Sequence, residues 1–585
     1  MRVSSAYPHP PFPPAPYAAS PQNALFEPLH ADTFLKARAR GVPVFLIIGN
    51  IPALDDAVRT HLHARTIPAQ LIPGARADVE LLCQRCSALF SGEGALPLCA
   101  LLLSDGRPFL AAPLPPPGFP LESSRLLVWL TQADRRFAQN LVGCTAQAGD
   151  AIHSFAAPPL PRPYPPQAAA HDAVFALMHT QDSVNGGFGG VKSPHACALR
   201  LLQNASGHDK KTHAALTRSL DAMLSSALYD PLDGGFFRST LTEDWRVFVP
   251  EKPLALNALL ALILLRAGRR SEAIRTLDFI TSAFSCGAGA LAPQLNAPRS
   301  AYAFTPEQVC AALGSENGLR ACRLLGLLRR KTPPEPDVLP SRFSPVPPSG
   351  FVRAQKDRDD APARCPVLSP SLTPEDAAFL RRVTPALLRA RAAREPQRPS
   401  PYILTEHCAL AAAVLAACGA RLGEARYVLC AQRAVSFLLG QSPGGTQLPA
   451  SIMPSKASGA QATCGASAAL SLALLTLGQA EGMEEYAHTG LRLLGGALHA
   501  FVRPDGVVMH TAKDPGAFLP RVPAIYDSEL PSPAALLIHA LRIADGMRPD
   551  LRYADAIGTI WDAASPAVRA QPLACTALID AAAYA

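Results

Sequence analysis

The stretch Tyr229–Trp245, YDPLDGGFFRSTLTEDW, decides the fold of this chain. It follows an apolar segment with helical periodicity, Ala214–Leu228, and precedes another, Pro253–Ala267. A second glycine-rich loop, NGGFGG from Asn185, lies upstream. Glycine permits positive φ angles and close backbone approach, and loops of this kind often line the mouth of a cavity. The pattern therefore predicts helical hairpins whose glycine-rich connections surround a cavity.

Helical periodicity continues from His171 to the C-terminus, with short Gly/Pro turns and almost no strand signal. This density of segments predicts antiparallel helix pairs. The stretch 331–373 is rich in proline and charge and lacks the periodicity, so it predicts a long insertion. The other predicted helices are Ser271–Phe284, Pro306–Leu313, Pro374–Arg394, Cys408–Gly419, Glu424–Leu439, Ala466–Leu477, Met483–Phe501, Pro533–Ala544 and Leu551–Ala563.

The N-terminal part alternates strand and helix signals and predicts a small α/β unit. Val42–Ile48, VPVFLII, has the length and apolar character of a buried central strand. The run LCALLLSDGRPFL predicts a hairpin that turns at Ser104–Gly106. Two proline-rich stretches then separate this unit from the helices. The predicted organisation is a disordered tail over 1–20, an α/β domain over 21–156, a linker over 157–168 and a helical domain over 169–585.

Composition and length narrow the class of protein. A chain of 585 residues exceeds the size of a single core and predicts at least two domains. The formal charge of +8 is dilute over this length and does not indicate nucleic acid. The N-terminus lacks a signal-peptide pattern, and apolar runs such as Ala258–Leu265 are shorter than the roughly 20 residues that span a bilayer. We therefore expect a cytoplasmic protein with no membrane partner, and no motif predicts a cofactor or a metal site.

These segments, in this order, resemble the spermatogenesis-associated protein 20 family over nearly the whole chain. The residues of the deciding stretch that agree with the family pattern are Tyr229, Asp230, Leu232, Gly234, Gly235, Phe236, Arg238 and Trp245. Glu251 and Lys252, in VPEKPLALNALL, fall on a second family motif. The resemblance implies a multidomain protein: a thioredoxin-like α/β domain followed by an all-α (α/α)6 toroid of the six-hairpin glycosidase and N-acylglucosamine 2-epimerase type.

The thioredoxin-like half departs from the family at its redox motif. Ala53 and Asp56 stand where the resemblance places the two cysteines, so thiol exchange has neither a nucleophile nor a resolving partner there. Pro97 aligns with the proline that is cis in such folds. Another pair at CxxC spacing, Cys83 and Cys86, lies in the helical run DVELLCQRCSALF. It is either a displaced redox pair or two partly buried thiols in a helix interior, and the interior position favours the second.

The resemblance implies candidate site residues at the mouth of the toroid. Glu251 is the candidate general base and His195 its partner acid. The candidate substrate-binding residues are Asp230, Arg238, Trp245, Lys252 and Asp527.

Each candidate also has a structural alternative. Glu251 and Arg238 can form an ion pair that stabilises the loop, and the family's histidine before Glu251 is lost here. Asp230 and Asp527 can cap helices, and Trp245 can belong to the core. His407, where the family has an aromatic residue, is more often a core histidine.

Three functions remain open from the sequence. The first is a carbohydrate-related protein with a sugar-binding cavity and no thiol–disulfide activity; if it is an enzyme, it is an isomerase or a hydrolase. The second is a non-catalytic platform for a protein partner. The third is a residual thiol oxidoreductase that uses Cys83 and Cys86. The resemblance transfers architecture more securely than chemistry.

Overall fold

The structure of the chain is a computed structural model that describes most of its length. The described residues are 25–49, 51, 53–92, 94, 96–115, 121–153, 155, 163–190, 192–207, 209–328, 338–339, 352–353, 364–369, 372–442, 448–452, 463–513 and 521–584. The predicted tail over 1–20 lies outside these residues. Most of the predicted linker over 157–168 and of the predicted insertion over 331–373 lies outside them too.

Five strands form one mixed sheet in the N-terminal part. They are β1 (Glu27–Pro28), β2 (Val44–Ile48), β3 (Ile67–Leu71), β4 (Leu98–Leu102) and β5 (Pro108–Pro113). The order across the sheet is β1-β3-β2-β4-β5; the first three strands are parallel and the last two run antiparallel to their neighbours. The predicted central strand and hairpin are both confirmed, and Gly106 turns the hairpin with a φ of 82°.

Helices cover both faces of this sheet. They are α1 (Ala31–Arg40), α2 (Asp56–Arg65), α3 (Ala77–Ser91), α4 (Ser123–Gln139) and α5 (Leu141–His153). Phe45 and Ile47 of β2 pack in one apolar cluster with residues of α2 and α4. Leu46 and Ile48 point to the other face and pack with residues of α1 and α3. Because both faces are buried, β2 is an unbroken apolar run. We call residues 25–153 the α/β module.

The rest of the chain is mainly helical. Its helices are α6 (Pro166–Thr180), α7 (Ala196–Ala205), α8 (Lys210–Leu224), α9 (Leu254–Arg266), α10 (Arg270–Ala283), α11 (Arg299–Tyr302), α12 (Pro306–Leu313), α13 (Ser315–Leu324), α14 (Pro374–Arg394), α15 (Thr405–Leu422), α16 (Ala425–Gly440), α17 (Cys464–Glu481), α18 (Glu484–Phe501), α19 (Pro533–Met547), α20 (Leu551–Ala570) and α21 (Thr576–Ala583).

Six of these helices form a closed inner ring. Along the ring, α7 packs on α9, α9 on α15, α15 on α17, α17 on α19, α19 on α21, and α21 returns to α7. The outer layer consists of α6, α8, α10, α16, α18 and α20, each packed on an inner helix next to it in the chain. Inner and outer helices alternate along the sequence, so the helical part is a two-layered α/α toroid.

Composition separates the two layers. Nearly every residue of the inner helices α9, α15 and α17 is buried, and these helices are apolar on all sides. Their small alanine and glycine side chains let neighbouring helices approach closely around the ring axis. The outer helices α8, α18 and α20 carry one buried stripe and a polar face, as expected for helices that border solvent.

Short strands and satellite helices complete the toroid. The short strands are β6 (Glu251–Pro253), β7 (Gln294–Asn296), β8 (Val338–Leu339), β9 (Val352–Arg353), β10 (Arg398–Pro399), β11 (Ile403–Leu404) and β12 (Ser451–Ile452). Strands β6, β7 and β10 pair in one small sheet, and β11 pairs with β12. Helices α12, α13 and α14 share an apolar cluster of their own. No helix in the described ranges is long and apolar enough to cross a membrane.

Helix α3 of the α/β module packs directly on the toroid. The guanidinium of Arg85 lies over the ring of Tyr526, 4.0 Å from its centroid, and hydrogen-bonds to Gln571. Leu82, on the same helix, belongs to the main apolar cluster of the toroid. The module is therefore fixed against the end of the ring where the glycine-rich loops lie.

Candidate functional site

The candidate residues lie where the inner helices begin. His195 precedes α7, Lys252 precedes α9, and Asp527 lies shortly before α19. Glu406 and His407 stand in the first turn of α15. Since inner and outer helices alternate as hairpins, the N-termini of the inner helices share one end of the ring, which we call the mouth.

Arg238 is the centre of a polar network at the mouth. Its Nε donates to Glu251 Oε2 at 2.8 Å and its Nη2 donates to Gln294 Oε1 at 2.6 Å. Its Nη1 pairs with Glu529. Burial alone would lower the pKa of Arg238, but Glu529 and Glu251 raise it above its ordinary value, so the guanidinium stays charged. The ion pair between Glu251 and Arg238, one of the two sequence alternatives, is thus present.

A pocket separates this network from the α/β module. The module supplies one wall, formed by Gly49, Gln70, Ile72, Pro73, Leu96 and Pro97. The toroid supplies the other wall, formed by Arg238, Glu251, Gln294 and Tyr402. The peptide bond between Leu96 and Pro97 is cis, as the resemblance implies. The pocket has a volume of about 50 Å³, well below the roughly 300 Å³ at which ligand sites usually begin.

Lys252 and Asp230 belong to a separate buried network. Lys252 Nζ donates to Asp230 Oδ2 at 2.9 Å and to Asp233 Oδ2 at 2.7 Å, and Arg391 Nη1 donates to Asp230 Oδ2 at 2.7 Å. The Lys252 side chain is fully buried and its ammonium lies 4.8 Å from the Phe237 ring centroid. Burial would raise the pKa of Asp230, but Arg391 and Lys252 hold it well below its usual range. This network joins α9 and α14 and does not line the pocket.

Three other candidates take structural positions. The indole of Trp245 is buried, and its Nε1 donates to the Asn185 carbonyl at 2.9 Å. Asp527 accepts from the Ala577 amide at 2.7 Å, and burial raises its pKa to about 6. His195 is exposed and has a φ of 49°; its carbonyl accepts from the Leu199 amide at 3.0 Å, but its side chain does not cap α7. The structure therefore does not bring His195 together with Glu251.

Ala53 and Asp56 lie beside the start of α2, and both are exposed. The neighbouring Asp55 caps this helix by accepting from the Val58 amide at 2.9 Å. Among the described residues, no cysteine stands at this helix start.

Three glutamates near Arg238 were not found from the sequence. Glu80 lies in the first turn of α3 in the α/β module and accepts from the Gly74 amide at 2.8 Å; Glu406 lies in the first turn of α15, and Glu529 precedes α19. Burial raises the pKa of Glu80 to about 7 against the lowering effect of the Gly74 amide, and Glu529 raises it further. Burial and the charge of Glu80 raise the pKa of Glu406 to about 7. We call Glu80, Glu406 and Glu529 the acidic cluster.

Two buried histidines border the acidic cluster. Burial and the charge of Arg238 lower the pKa of His407 to about 3, so its ring is neutral at physiological pH. Burial lowers the pKa of His510 to about 4, while Asp78 acts in the opposite direction. Nδ1 of His407 and both ring nitrogens of His510 lack a hydrogen-bond partner among the described residues. Buried unpaired nitrogens are costly, so the unpaired atoms of these two rings call for an explanation.

The described ranges offer no metal site, because no three His, Cys, Asp or Glu side chains converge closely enough to hold an ion. The polar groups of the mouth can bind hydroxyls, amines or amides through hydrogen bonds and can hold protons near neutral pH.

The chain is similar to solved sugar isomerases and epimerases. D-mannose isomerase superposes with a TM-score of 0.43 at 10% identity, over 69% of this chain and 88% of that chain. Cellobiose 2-epimerase from Bacillus thermoamylovorans B4167 gives 0.38 at 11% identity, over 68% and 86%. A sugar epimerase from a ruminal bacterium gives 0.29 at 12% identity, over 66% and 98%. At TM-scores this low the likeness carries no argument, and the architecture rests on the helix contacts described above.

No model of a known protein family matches the chain, and no curated protein matches it.

The thiols of α3 are the subject of a first prediction. Cys83 and Cys86 are fully buried, and burial raises the pKa of Cys83 well above its ordinary value and that of Cys86 to about 12. We expect neither residue to react with an alkylating reagent at pH 7 in the folded protein, and both to react once the chain is unfolded. Mass mapping of the labelled sites measures this, with the less buried Cys310 as the reference. Fast labelling of Cys83 in the folded state would restore the oxidoreductase hypothesis.

The raised pKa of Glu406 gives a second prediction. Its folded-state pKa of about 7 exceeds the ordinary value of 4.5, so the native state holds a proton that the unfolded state has lost, and stability falls as pH rises between those values. Glu406→Gln removes the titrating group and with it this loss of stability at high pH. Relative to wild type, we expect the variant to be near neutral at pH 5 and more stable by about 1–2 kcal/mol at pH 8. Urea unfolding at both pH values measures it, and an equal effect at both would contradict the raised pKa.

Proposed function

We propose that this chain binds a small polyhydroxylated compound, a sugar or a sugar derivative, in the pocket between the α/β module and the mouth of the toroid, and that it has no thiol–disulfide activity. The single observation that carries the proposal is the composition of the toroid wall. A guanidinium, a carboxylate, an amide and a tyrosine meet there, at Arg238, Glu251, Gln294 and Tyr402. These are the groups that donate to and accept from hydroxyls and that pack on the face of a sugar ring.

We further propose that the module is a divergent thioredoxin-like domain of the spermatogenesis-associated protein 20 family and that the toroid is of the six-hairpin glycosidase type. The sheet order and the two-layered helix ring support this assignment. In this proposal the module has exchanged its redox chemistry for a role as a wall of the ligand site. The boundary between the two domains falls within the proline-rich stretch around residues 157–168.

The small volume of the pocket bears on how a ligand would enter. A space of about 50 Å³ does not admit a whole sugar ring. We propose that the two walls of the pocket shift apart locally when a ligand binds, while the contacts of α3 with the toroid stay in place.

Glu251 stays the candidate general base in this proposal, because its carboxylate lines the pocket. Among the substrate-binding candidates, Arg238 lines the pocket as well. Asp230, Lys252, Trp245 and Asp527 would instead maintain the shape of the mouth through the contacts described above. If the chain is an enzyme, its reaction is then an isomerisation or hydrolysis at this wall.

A thermal-shift screen of the full chain tests the proposal. The panel comprises monosaccharides, N-acyl sugars and sugar phosphates. A ligand at about 100 times its dissociation constant adds roughly 2.7 kcal/mol of stability, which raises the melting temperature measurably. We expect at least one compound to stabilise the wild type and to lose this effect in Glu251→Gln and Gln294→Ala.

The matched control is Arg246→Ala, which removes an exposed arginine paired with Asp244 outside the pocket and should keep the shift. A flat screen with a folded protein would refute the proposal and favour the alternative, a non-catalytic platform for a protein partner.

A further inference from the structure

Carboxylates outnumber cations in the buried region around Arg238. Arg238 is the one cation that interacts with the acidic cluster among the described residues, and Glu251, Glu529 and Gln294 already occupy its three nitrogens. Glu80 and Glu406 form no ion pair with any described side chain. Negative charge therefore exceeds positive charge in a buried place, where unpaired carboxylates are costly.

The carboxylate of Glu406 is closely packed at the start of α15. It lies against the α-carbon of Gly465, where any side chain would collide with it. Glu80 reaches the same region from the α/β module: its carboxylate accepts from the Gly74 amide at 2.8 Å, and Gly74 lies against Leu404 and His407 at the start of α15. Helices α3 and α15 thus place the carboxylates of Glu80 and Glu406 in the same buried region.

The unpaired ring nitrogen of His407 independently indicates a ligand. His407 is 8% exposed, and its Nδ1 has no hydrogen-bond partner among the described residues. Its Nε2 lies beside Gly74, at 2.9 Å from the position that a β-carbon would take there, and the Gly74 amide binds Glu80. The ring thus stands next to the acidic cluster. A neutral imidazole offers a lone pair, so it can accept an N–H bond from a cation.

We propose that the ligand of this site carries an ammonium group, as an amino sugar does, and that Glu80 of the α/β module and Glu406 and His407 of the toroid accept its N–H bonds. The inference rests on the proposed function and narrows the ligand class. The cation supplies the positive charge that the acidic cluster lacks. The hydroxyl groups of the same ligand would lie at the toroid wall, beside Arg238 and Gln294. Anionic sugar phosphates are disfavoured at this site because the acidic cluster repels them.

Calorimetric titration of the full chain at pH 7 tests the inference with three matched probes. Glucosamine carries the ammonium group, whereas N-acetylglucosamine and glucose are neutral. We expect glucosamine to bind at least about tenfold more tightly than either neutral sugar, and we expect Glu80→Gln and Glu406→Gln each to remove most of this preference. Both substitutions keep the shape of the side chain, and circular dichroism verifies the fold. Glu485→Gln, on an exposed turn of α18, is the matched control and should bind like the wild type.

Equal binding of glucosamine and N-acetylglucosamine would overturn the inference and leave the proposed function standing. A preference for glucosamine that survives both substitutions would also overturn it. Putrescine, a cation without hydroxyls, separates the two proposals. If putrescine binds and depends on Glu80 and Glu406 while no sugar binds, the cation site is correct and the proposed function is wrong.

Discussion

Replacement of Lys252 by alanine is expected to lower the free energy of unfolding by about 3–5 kcal/mol, because it removes one partner from a fully buried ion network. The ammonium of Lys252 is the shared partner of Asp230 and Asp233. Without it, Arg391 is the remaining cation for the buried Asp230 and the mostly buried Asp233 among the described residues. The variant also loses the contact between the ammonium and the Phe237 ring.

Urea unfolding of wild type and variant measures this loss. Lys36→Ala is the matched control, since Lys36 is a half-exposed lysine paired with Glu27 on the α/β module, and exposed pairs contribute less than about 1 kcal/mol. If Lys252→Ala costs no more than the control, the network is not the structural element described here, and a role for Lys252 in ligand binding regains support.

Replacement of Arg238 by alanine is expected to cost about 3 kcal/mol at pH 8 and clearly less at pH 5. Arg238 lowers the pKa of Glu529 and of Glu80 against the effect of burial. Without the guanidinium both pKa values rise further, so the folded variant binds protons that the unfolded chain has lost. Its stability therefore falls more steeply as pH rises from 5 to 8.

The matched control for this prediction is Arg246→Ala, whose exposed pair with Asp244 should contribute little at either pH. Denaturant unfolding of both variants at pH 5 and pH 8 provides the comparison. A cost for Arg238→Ala that is independent of pH would show that the acidic cluster is not electrostatically coupled to Arg238.

Much of the fold follows from periodicity. The strand Val44–Ile48 and the helices Pro306–Leu313 and Pro374–Arg394 occupy the predicted positions, because one apolar pattern dominates each segment. Helix ends were harder to predict. The segment predicted to end at Ala563 continues to Ala570 and passes through Pro566, which usually marks a helix boundary. Tertiary packing of this helix on the ring maintains it beyond the local signal.

The small sheet at the mouth was not predicted. Strand Glu251–Pro253 has only three residues, and its partner Gln294–Asn296 lies outside the reach of any local pattern. This sheet nevertheless sets the site, because it holds Glu251 and Gln294 beside Arg238. The sequence motif identified Arg238 and Glu251 correctly as neighbours, whereas their pairing with Gln294 depends on the register of strands far apart in the chain.

The acidic cluster could not be predicted for the same reason. Glu80 lies in the α/β module and Glu406 in the toroid, and neither carries a local motif. What joins them is the docking of α3 on the mouth, a packing event that depends on contacts such as that between Arg85 and Tyr526. His407 illustrates the limit well: an Ala-rich helix predicts a core histidine, and burial agrees, but only the fold shows that its Nδ1 is unpaired and that its ring lies beside Gly74, whose amide binds Glu80.

The most direct test of the central claim is a binding titration that compares the two walls of the pocket. Gln70→Ala alters the module wall and Gln294→Ala alters the toroid wall, and both are measured with the tightest-binding compound of the sugar panel. If the ligand lies between the walls, each variant should weaken binding at least about tenfold, or about 1.4 kcal/mol. Binding that is unchanged in Gln70→Ala but weakened in Gln294→Ala would show that the α/β module is not part of the site. Unchanged binding in both variants would place the ligand elsewhere and contradict the account.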